Sequence, residues 1–293
     1  MPDHSFAFSN SRRTQSMVAL NIVSTLAQIG QFALGSMLLP IALEAKKASP
    51  EAIGFTSAAF WFGMLAGLLV AGYFTRKIGY RSTVILGLLM GVISFILLPL
   101  IDWRWWAVLS AAVGFGTGLR WIANETWLYR LAPAQARGRI IGIHETLIGL
   151  ASILGPLIIV AFGANKSTTF WVAAAIIAVS IVPILIAATL PAVNKQATID
   201  KKASIENTLV SNSTPFSFAR MMQLHSLHLI SYGGLIAGIS GWIEGSLVAL
   251  LPVYNTDIGL NAADTAWLLT ALGTGAMFCQ FPIGWLADTK GVN

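Results

Sequence analysis

The sequence predicts an all-α membrane protein, on three observations. First, seven stretches of 20–28 residues contain no Asp, Glu, Lys or Arg: Met17–Leu43, Ala52–Thr75, Ser82–Ile101, Thr146–Asn165, Ser167–Asn194, Met221–Ile243 and Thr265–Ala287. One helix needs about 20 mostly apolar residues to cross a bilayer core. Second, charged residues make up 10% of the 293-residue chain and hydrophobic ones 56%. An ordinary soluble domain carries about 25% charged residues, so this chain could not cover a water-facing globule. Third, the runs are too long for barrel strands, and lipid offers backbone polar groups no partner outside a helix. Together these exclude a soluble enzyme, a nucleic-acid-binding domain and a disulfide-stapled secreted protein. Cys279 is the single cysteine, so there is no disulfide framework and no cysteine metal site.

Eight spans are expected, at about 17–43, 52–74, 82–101, 105–128, 140–162, 168–190, 226–252 and 264–286. Ser11-Arg12-Arg13 precedes the first span and reads as a cytoplasmic anchor; the apolar run after it far exceeds the roughly 7–15 residues of a signal peptide. The first span carries Asn21, Ser24/Thr25, Gln28, Gln31 and Gly35 at helical spacing, a polar stripe that must face protein or water. It lines a cavity or joins helices. Between spans three and four, Trp103–Trp106 is expected to be an interfacial aromatic belt. Span four is interrupted by Arg120 and Glu125, with Asn124 one turn beyond Arg120. A mid-membrane charge costs at least about 2.5–3.5 kcal/mol. Arg120 therefore needs a carboxylate, an anionic ligand group or an aqueous route, unless it snorkels to the surface. Glu125 is expected to pair with Arg130. Span five shows Gly142, Glu145, Gly149, Ser152 and Gly155-Pro156, a small-residue face suited to helix packing, and His144 is expected at the interface.

Residues 191–225 form the long polar connection, rich in Lys, Ser, Thr and Asn, and read as a cytoplasmic linker. The organisation is thus a cytoplasmic N-terminus (1–16), a six-helix bundle (17–190), the linker (191–225) and a further helix pair (226–293). Glu244 interrupts span seven, with Ser240 and Tyr232 near its face. Its carboxylate either takes up a proton in apolar surroundings, pairs with Arg120, or stays hydrated near the outer surface. With the N-terminus inside, thirteen Lys and Arg fall in cytoplasmic segments and four outside (Lys46, Lys47, Arg104 and Lys166). The positive-inside rule selects that orientation, and a cell inner (plasma) membrane is expected.

An internal repeat joins the two parts. Gly72-Tyr-Phe-Thr-Arg76-Lys77-Ile-Gly79-Tyr-Arg81 follows span two, and Gly284-Trp-Leu-Ala-Asp288-Thr-Lys-Gly291-Val-Asn293 follows span eight, 212 residues on. At the same offset Leu38-Leu39-Pro40 aligns with Leu250-Leu251-Pro252, and Gly63 with Gly275. This recurring loop resembles that of the major facilitator superfamily, whose carriers are built from repeats. Asn124-Glu125-Thr-Trp127-Leu with Arg137-Gly138-Arg139, and Leu251-Pro252-Val253-Tyr254 with Gln280-Phe-Pro282-Ile-Gly284, resemble a poorly characterised bacterial branch related to efflux permeases. Two positions depart from the family pattern: the acidic residue of the first loop is Arg76, and Ser110 stands where many members have an Arg. The resemblance implies twelve spans, of which eight are expected here, so a C-terminal truncation is expected, and a chain that alone does not transport.

What the resemblance implies is a secondary transporter that moves a small solute by alternating access, embedded in the lipid bilayer. It places a midplane cavity on spans one, four and seven, so that Asn21, Gln28, Gln31, Arg120, Asn124, Ser240 and Glu244 are the substrate-cavity candidates. Glu244 is the candidate for proton coupling. Gly72, Arg76, Lys77, Gly79, Arg81, Gly284, Asp288 and Gly291 are readable as gating-loop residues; the basic ones also serve as topology determinants. No cofactor, metal or nucleic acid is expected. The competing classes are a non-transporting, receptor-like remnant and a membrane-embedded enzyme. Against the enzyme stands the absence of His-Glu-x-x-His, Gly-x-Ser-x-Gly and phosphate-loop motifs.

Overall fold

The computed structural model describes residues 10–133, 137–164, 166–188 and 227–290, and every regular element among them is helical. In chain order these are α1 (Asn10–Ala27), a π-helical segment (Gln28–Ala33), α2 (Leu34–Ala45), α3 (Pro50–Leu97), α4 (Trp106–Leu131), α5 (Arg137–Phe162), α6 (Ser167–Ile186), α7 (Leu227–Asp257) and α8 (Ala262–Lys290). Short 3-10 turns at Leu98–Leu100 and Trp103–Trp105 connect α3 to α4. The linker expected over 191–225 lies outside the described residues. Among the described residues, four stretches are long and apolar enough to cross a bilayer by length and composition: Ser11–Ala45, Pro50–Leu100, Ile140–Phe162 and Ser167–Ile186.

Local sequence explains where α3 begins and why it is two arms. Ser49 accepts a hydrogen bond from the Ala52 amide (3.4 Å), Pro50 occupies the first turn, and Glu51 complements the helix dipole. Hydrogen bonding runs on to Leu97, but Gly79 sits at φ 83°, ψ 164°, a conformation essentially restricted to glycine. The two arms pack on α4 in opposite senses. Gly63 faces Ala111 and Gly67 faces Phe115, ascending together, whereas Gly87 faces both Gly116 and Arg120, and Met90 faces Gly116. The chain therefore reverses at Gly79, within the loop that the sequence places between its second and third spans.

Glycine sets the intimacy of this packing. A Cβ at Gly114 would run into the carbonyl of Phe60, one at Gly63 into that of Ala111, and one at Gly67 into that of Phe115. Lipid supplies no hydrophobic drive between helices, so close backbone contact of this kind is a main source of association. Aromatic rings fill the space beside it. Phe32 meets Phe60, Trp61 and Trp121 edge-on, with centroids 5.5–6.1 Å apart. The outward surface is apolar instead of charged. Phe55, Phe62 and Leu69 recur every seven residues along α3 and are each more than 70% exposed, a stripe suited to lipid rather than to water.

The tryptophans of the 103–106 turn do not act as one belt. Trp105 is exposed, but Trp106 is buried against Phe170 (5.4 Å), with the Lys46 ammonium over its ring at 5.6 Å. The neighbouring turn folds Trp106 onto α6, so only part of the expected interfacial set faces outward.

Side chains also tie helix ends together near Ala188. Arg81, after the α3 reversal, donates to the carbonyls of Leu185 (3.3 Å) and Ala187, meeting acceptors that the end of α6 leaves open. Trp127 Nε1 of α4 donates to the Ala188 carbonyl (3.2 Å), and the Ala188 amide donates to Ser16 Oγ of α1 (2.8 Å). Arg13 donates to the Leu131 carbonyl at the end of α4. Against this bundle, α8 lies along α5, and α7 lies along α2 and α3.

Candidate functional site

Two buried polar networks and one cavity contain six of the seven substrate-cavity candidates, all but Gln28. The first network joins α1, the π segment, α3 and α4. Arg120 is 2% exposed, and its Nε donates to Gln31 Oε1 at 3.2 Å. Gln31 in turn donates from Nε2 to the Gly87 carbonyl at 2.7 Å. Glycines at 87 and 116 bring α3 close enough for this: a side chain at either would meet the opposing backbone. One terminal guanidinium nitrogen of Arg120 is buried without a hydrogen-bond partner. A turn further along α4, Asn124 Nδ2 donates to Ser24 Oγ (2.6 Å) and the Leu20 carbonyl (3.2 Å). Its Oδ1 also lacks a partner.

The polar stripe of the first span therefore faces α4 and α5. Ser24 and Gln31 reach α4, and Asn21 reaches α5. Gln28 and Gln31 lie in the π-helical turn, so the stripe is not one continuous α-helical face; π turns often occur at functional positions. Gln28, Gln31, Arg120 and Asn124 are all buried, and none of the four lines the cavity that Glu244 borders or the cleft beside Asn21. Among the described residues, Arg120 forms no ion pair with Glu244. Its oxygen partner is the neutral Gln31 amide.

The second network lies between α1, α4 and α5. His144 is fully buried, not interfacial, because its ring turns inward from α5 towards Asn21 of α1. Its Nδ1 lies 2.9 Å from Asn21 Oδ1, and its Nε2 lies 3.9 Å from Glu125 Oε1. Glu125 also accepts from Trp121 Nε1, four residues earlier on the same helix. The expected Glu125–Arg130 pair does not form: Arg130 sits over the Tyr80 ring at 5.6 Å. Glu145, beside His144, completes a group of three potential ligand atoms within 4.8 Å of one another. Glu125 comes from a segment distant from His144 and Glu145, so only the Trp121–Glu125 spacing of four residues hinted at any part of this arrangement.

Ser240 and Glu244 lie elsewhere, on a cavity of about 490 Å³ between the first part of the chain and the α7–α8 pair. Phe32, Met37, Gly149 and Ser152 form one wall; Ser240, Glu244, Leu269 and Leu272 form the other. Glu244 is the charged residue in this lining. Ser152 belongs to the same wall, although its spacing in span five pointed only to packing. Asn21 instead borders a separate apolar cleft against Ile140, Ile143 and Leu147.

Of the loop residues, Arg76 and Lys77 are exposed, with Lys77 Nζ donating to the Tyr73 hydroxyl (3.2 Å). Gly72 lies just before them with open space beside it apart from Arg76, Gly79 makes the reversal, and Arg81 binds the end of α6. In the second copy, Gly284 and Asp288 fall in a stretch of α8 whose side chains lie outside the described residues, and Gly291 lies outside them altogether.

A family profile of the Major Facilitator Superfamily matches residues 20–293. The uncharacterized MFS-type transporter YcaD of Escherichia fergusonii is 25% identical over 256 residues, covering 87% of this chain and 62% of its own length. Its Escherichia coli counterpart is 26% identical over the same shares. The chain thus spans less than two thirds of the length of the curated relatives it matches. Among solved structures, a D-xylose-proton symporter superposes with a TM-score of 0.65 at 14% identity, over 94% of this chain and 69% of that one. The xylose transporter XylE from Escherichia coli, in a partially occluded inward-open conformation, gives 0.63 at 14% identity over 94% and 74%. At that identity the likeness is one of fold. With a profile match over nearly its whole length and an apolar, helical exterior, the chain belongs to the Major Facilitator Superfamily and is a multi-pass membrane protein.

Proposed function

We propose that this protein works as a secondary transporter, carrying a small solute by alternating access between two helical units. In this reading it sits in the inner membrane with its N-terminus in the cytoplasm and contributes eight spans. The observation that carries it is the 490 Å³ cavity where α7 and α8 meet the π segment, α2 and α5, with Ser152, Ser240 and Glu244 as polar groups in an otherwise apolar lining. Carrier sites of this kind lie at the interface between repeats. Glu244 is the coupling group: a carboxylate on a cavity that alternately faces two compartments can pick up a proton on one side and release it on the other. Gln31, Arg120 and Asn124 form a buried polar network inside the first unit, behind the cavity wall, and in this reading Arg76, Lys77, Arg81 and Asp288 flank the gate at the cytoplasmic loops.

A test that needs no knowledge of the solute uses access to the cavity. With Cys279→Ser as background, Ser240→Cys should react with a membrane-impermeant maleimide both in right-side-out and in everted vesicles. Reaction from one side only, at every membrane potential and pH applied, would overturn alternating access. Glu244→Gln should abolish any proton flux that accompanies the exchange, and an unchanged flux would remove Glu244 from the coupling role.

A further inference from the structure

We propose that Glu125, His144 and Glu145 form a binding site for a first-row divalent metal cation of the zinc type. Hydrogen bonding fixes the tautomer of the neutral histidine. Asn21 donates from Nδ2 to the Met17 carbonyl at 2.9 Å, which leaves its Oδ1 facing His144 Nδ1 at 2.9 Å. An amide oxygen only accepts, so Nδ1 carries the proton, and in the neutral ring it is Nε2 that presents a bare lone pair. That nitrogen is buried, has no hydrogen-bond partner, and points at Glu125 Oε1, itself an acceptor, 3.9 Å away. Two acceptors aimed at each other in a low-dielectric setting leave a gap that a cation fills.

The surroundings match a metal site more closely than a chance cluster. The three ligand atoms lie within 4.8 Å of one another. Metal–ligand bonds of about 2.0–2.2 Å put neighbouring ligand atoms about 3.3–3.6 Å apart in a tetrahedron. The cluster therefore has to contract by roughly an ångström, and Glu145, on the exposed side of α5, has the freedom to do it. Metal-bound histidines characteristically donate their other ring N–H to an oxygen acceptor, and bound carboxylates accept a further hydrogen bond. Here Asn21 takes the first role and Trp121 Nε1 the second. Two carboxylates and a neutral imidazole balance a dication, and a nitrogen ligand favours zinc-type metals over magnesium or calcium. Arg120, a cation on the same helix as Glu125, has its Nε turned to Gln31, but its charge still acts on Glu125 and His144, so a bound dication shares these groups with it. Three protein ligands leave a fourth position open.

The site stands independently of the carrier reading, and an equilibrium measurement tests it. The probe is Zn²⁺, titrated calorimetrically into the purified, metal-stripped chain in detergent. One equivalent should bind. Glu145→Gln, which changes an exposed residue, should weaken binding at least about tenfold with the far-ultraviolet circular dichroism unchanged. Asn21→Ala, which touches no metal, should weaken it about 10–100-fold. A His225→Ala/His228→Ala double variant, which removes two other histidines, three residues apart in the sequence, should bind as the parent does. No stoichiometric uptake by the parent chain, or uptake that Glu145→Gln leaves intact, overturns the proposal. So does loss of the heat in the His225/His228 variant alone.

Discussion

Gln31 is held from both ends, and this decides how much Arg120 costs. A guanidinium buried in hydrocarbon is tolerable only with acceptors around it, and Gln31 supplies the one that Nε uses while anchoring itself to the Gly87 carbonyl. Gln31→Met preserves length and apolar volume but removes that acceptor. It should lower stability by about 1.5–3 kcal/mol, the range for losing a hydrogen bond to a charged group, seen as an earlier loss of monodisperse protein on heating in detergent. Gln31→Glu restores the acceptor for Arg120 but not the donor to the Gly87 carbonyl, so it should recover only part of the loss. That Arg120 needs a partner was legible in the sequence, because the cost of an unpaired charge in lipid does not depend on the fold. Which partner it finds was not: Glu244 and Gln31 lie on different helices at long separations, and only packing brings Gln31 to Arg120. His144 failed in the opposite direction. Its place near the start of a span suggested an interface, whereas the rotation of α5 turns the ring onto Asn21.

At the scale of elements, the helices were well marked because uncharged length is a one-dimensional property. Breaks were marked almost as well: Gly79 falls between two apolar runs, and the chain reverses there. Face assignments were less legible. Span five was expected to offer the small-residue packing face, and Gly155 does press on Ala33, but Gly142 has nothing within 4 Å. The closest backbone contacts fall between α3 and α4, where glycines on both helices coincide. Two substitutions separate these situations. Gly114→Ala should cost about 1–3 kcal/mol through overpacking against the Phe60 carbonyl. Gly142→Ala should be neutral or stabilising by up to about 1 kcal/mol, since it adds helix propensity at an exposed position. Thermal unfolding midpoints of the two purified variants check the pair, and equal losses would contradict the packing described for α3 and α4.

For the whole molecule, the distribution of basic residues predicts sidedness, and the repeat predicts that it recurs. With Cys279→Ser as background, Lys77→Cys and Asp288→Cys should both be labelled by an impermeant maleimide in everted vesicles only, and Ser49→Cys in right-side-out vesicles only. Opposite labelling of positions 77 and 288 would break the symmetry between the two loops. The arginines that set this sidedness have a second occupation. Arg13 and Arg81 bind backbone carbonyls at the ends of α4 and α6, beside the contacts of Ser16 and Trp127 with Ala188. Four helices are thereby buckled at one rim, so that none can splay from its neighbours there without breaking several bonds at once. Whatever swing the protein makes, this part must tilt as a single lever, with the bending confined to joints beyond the buckle.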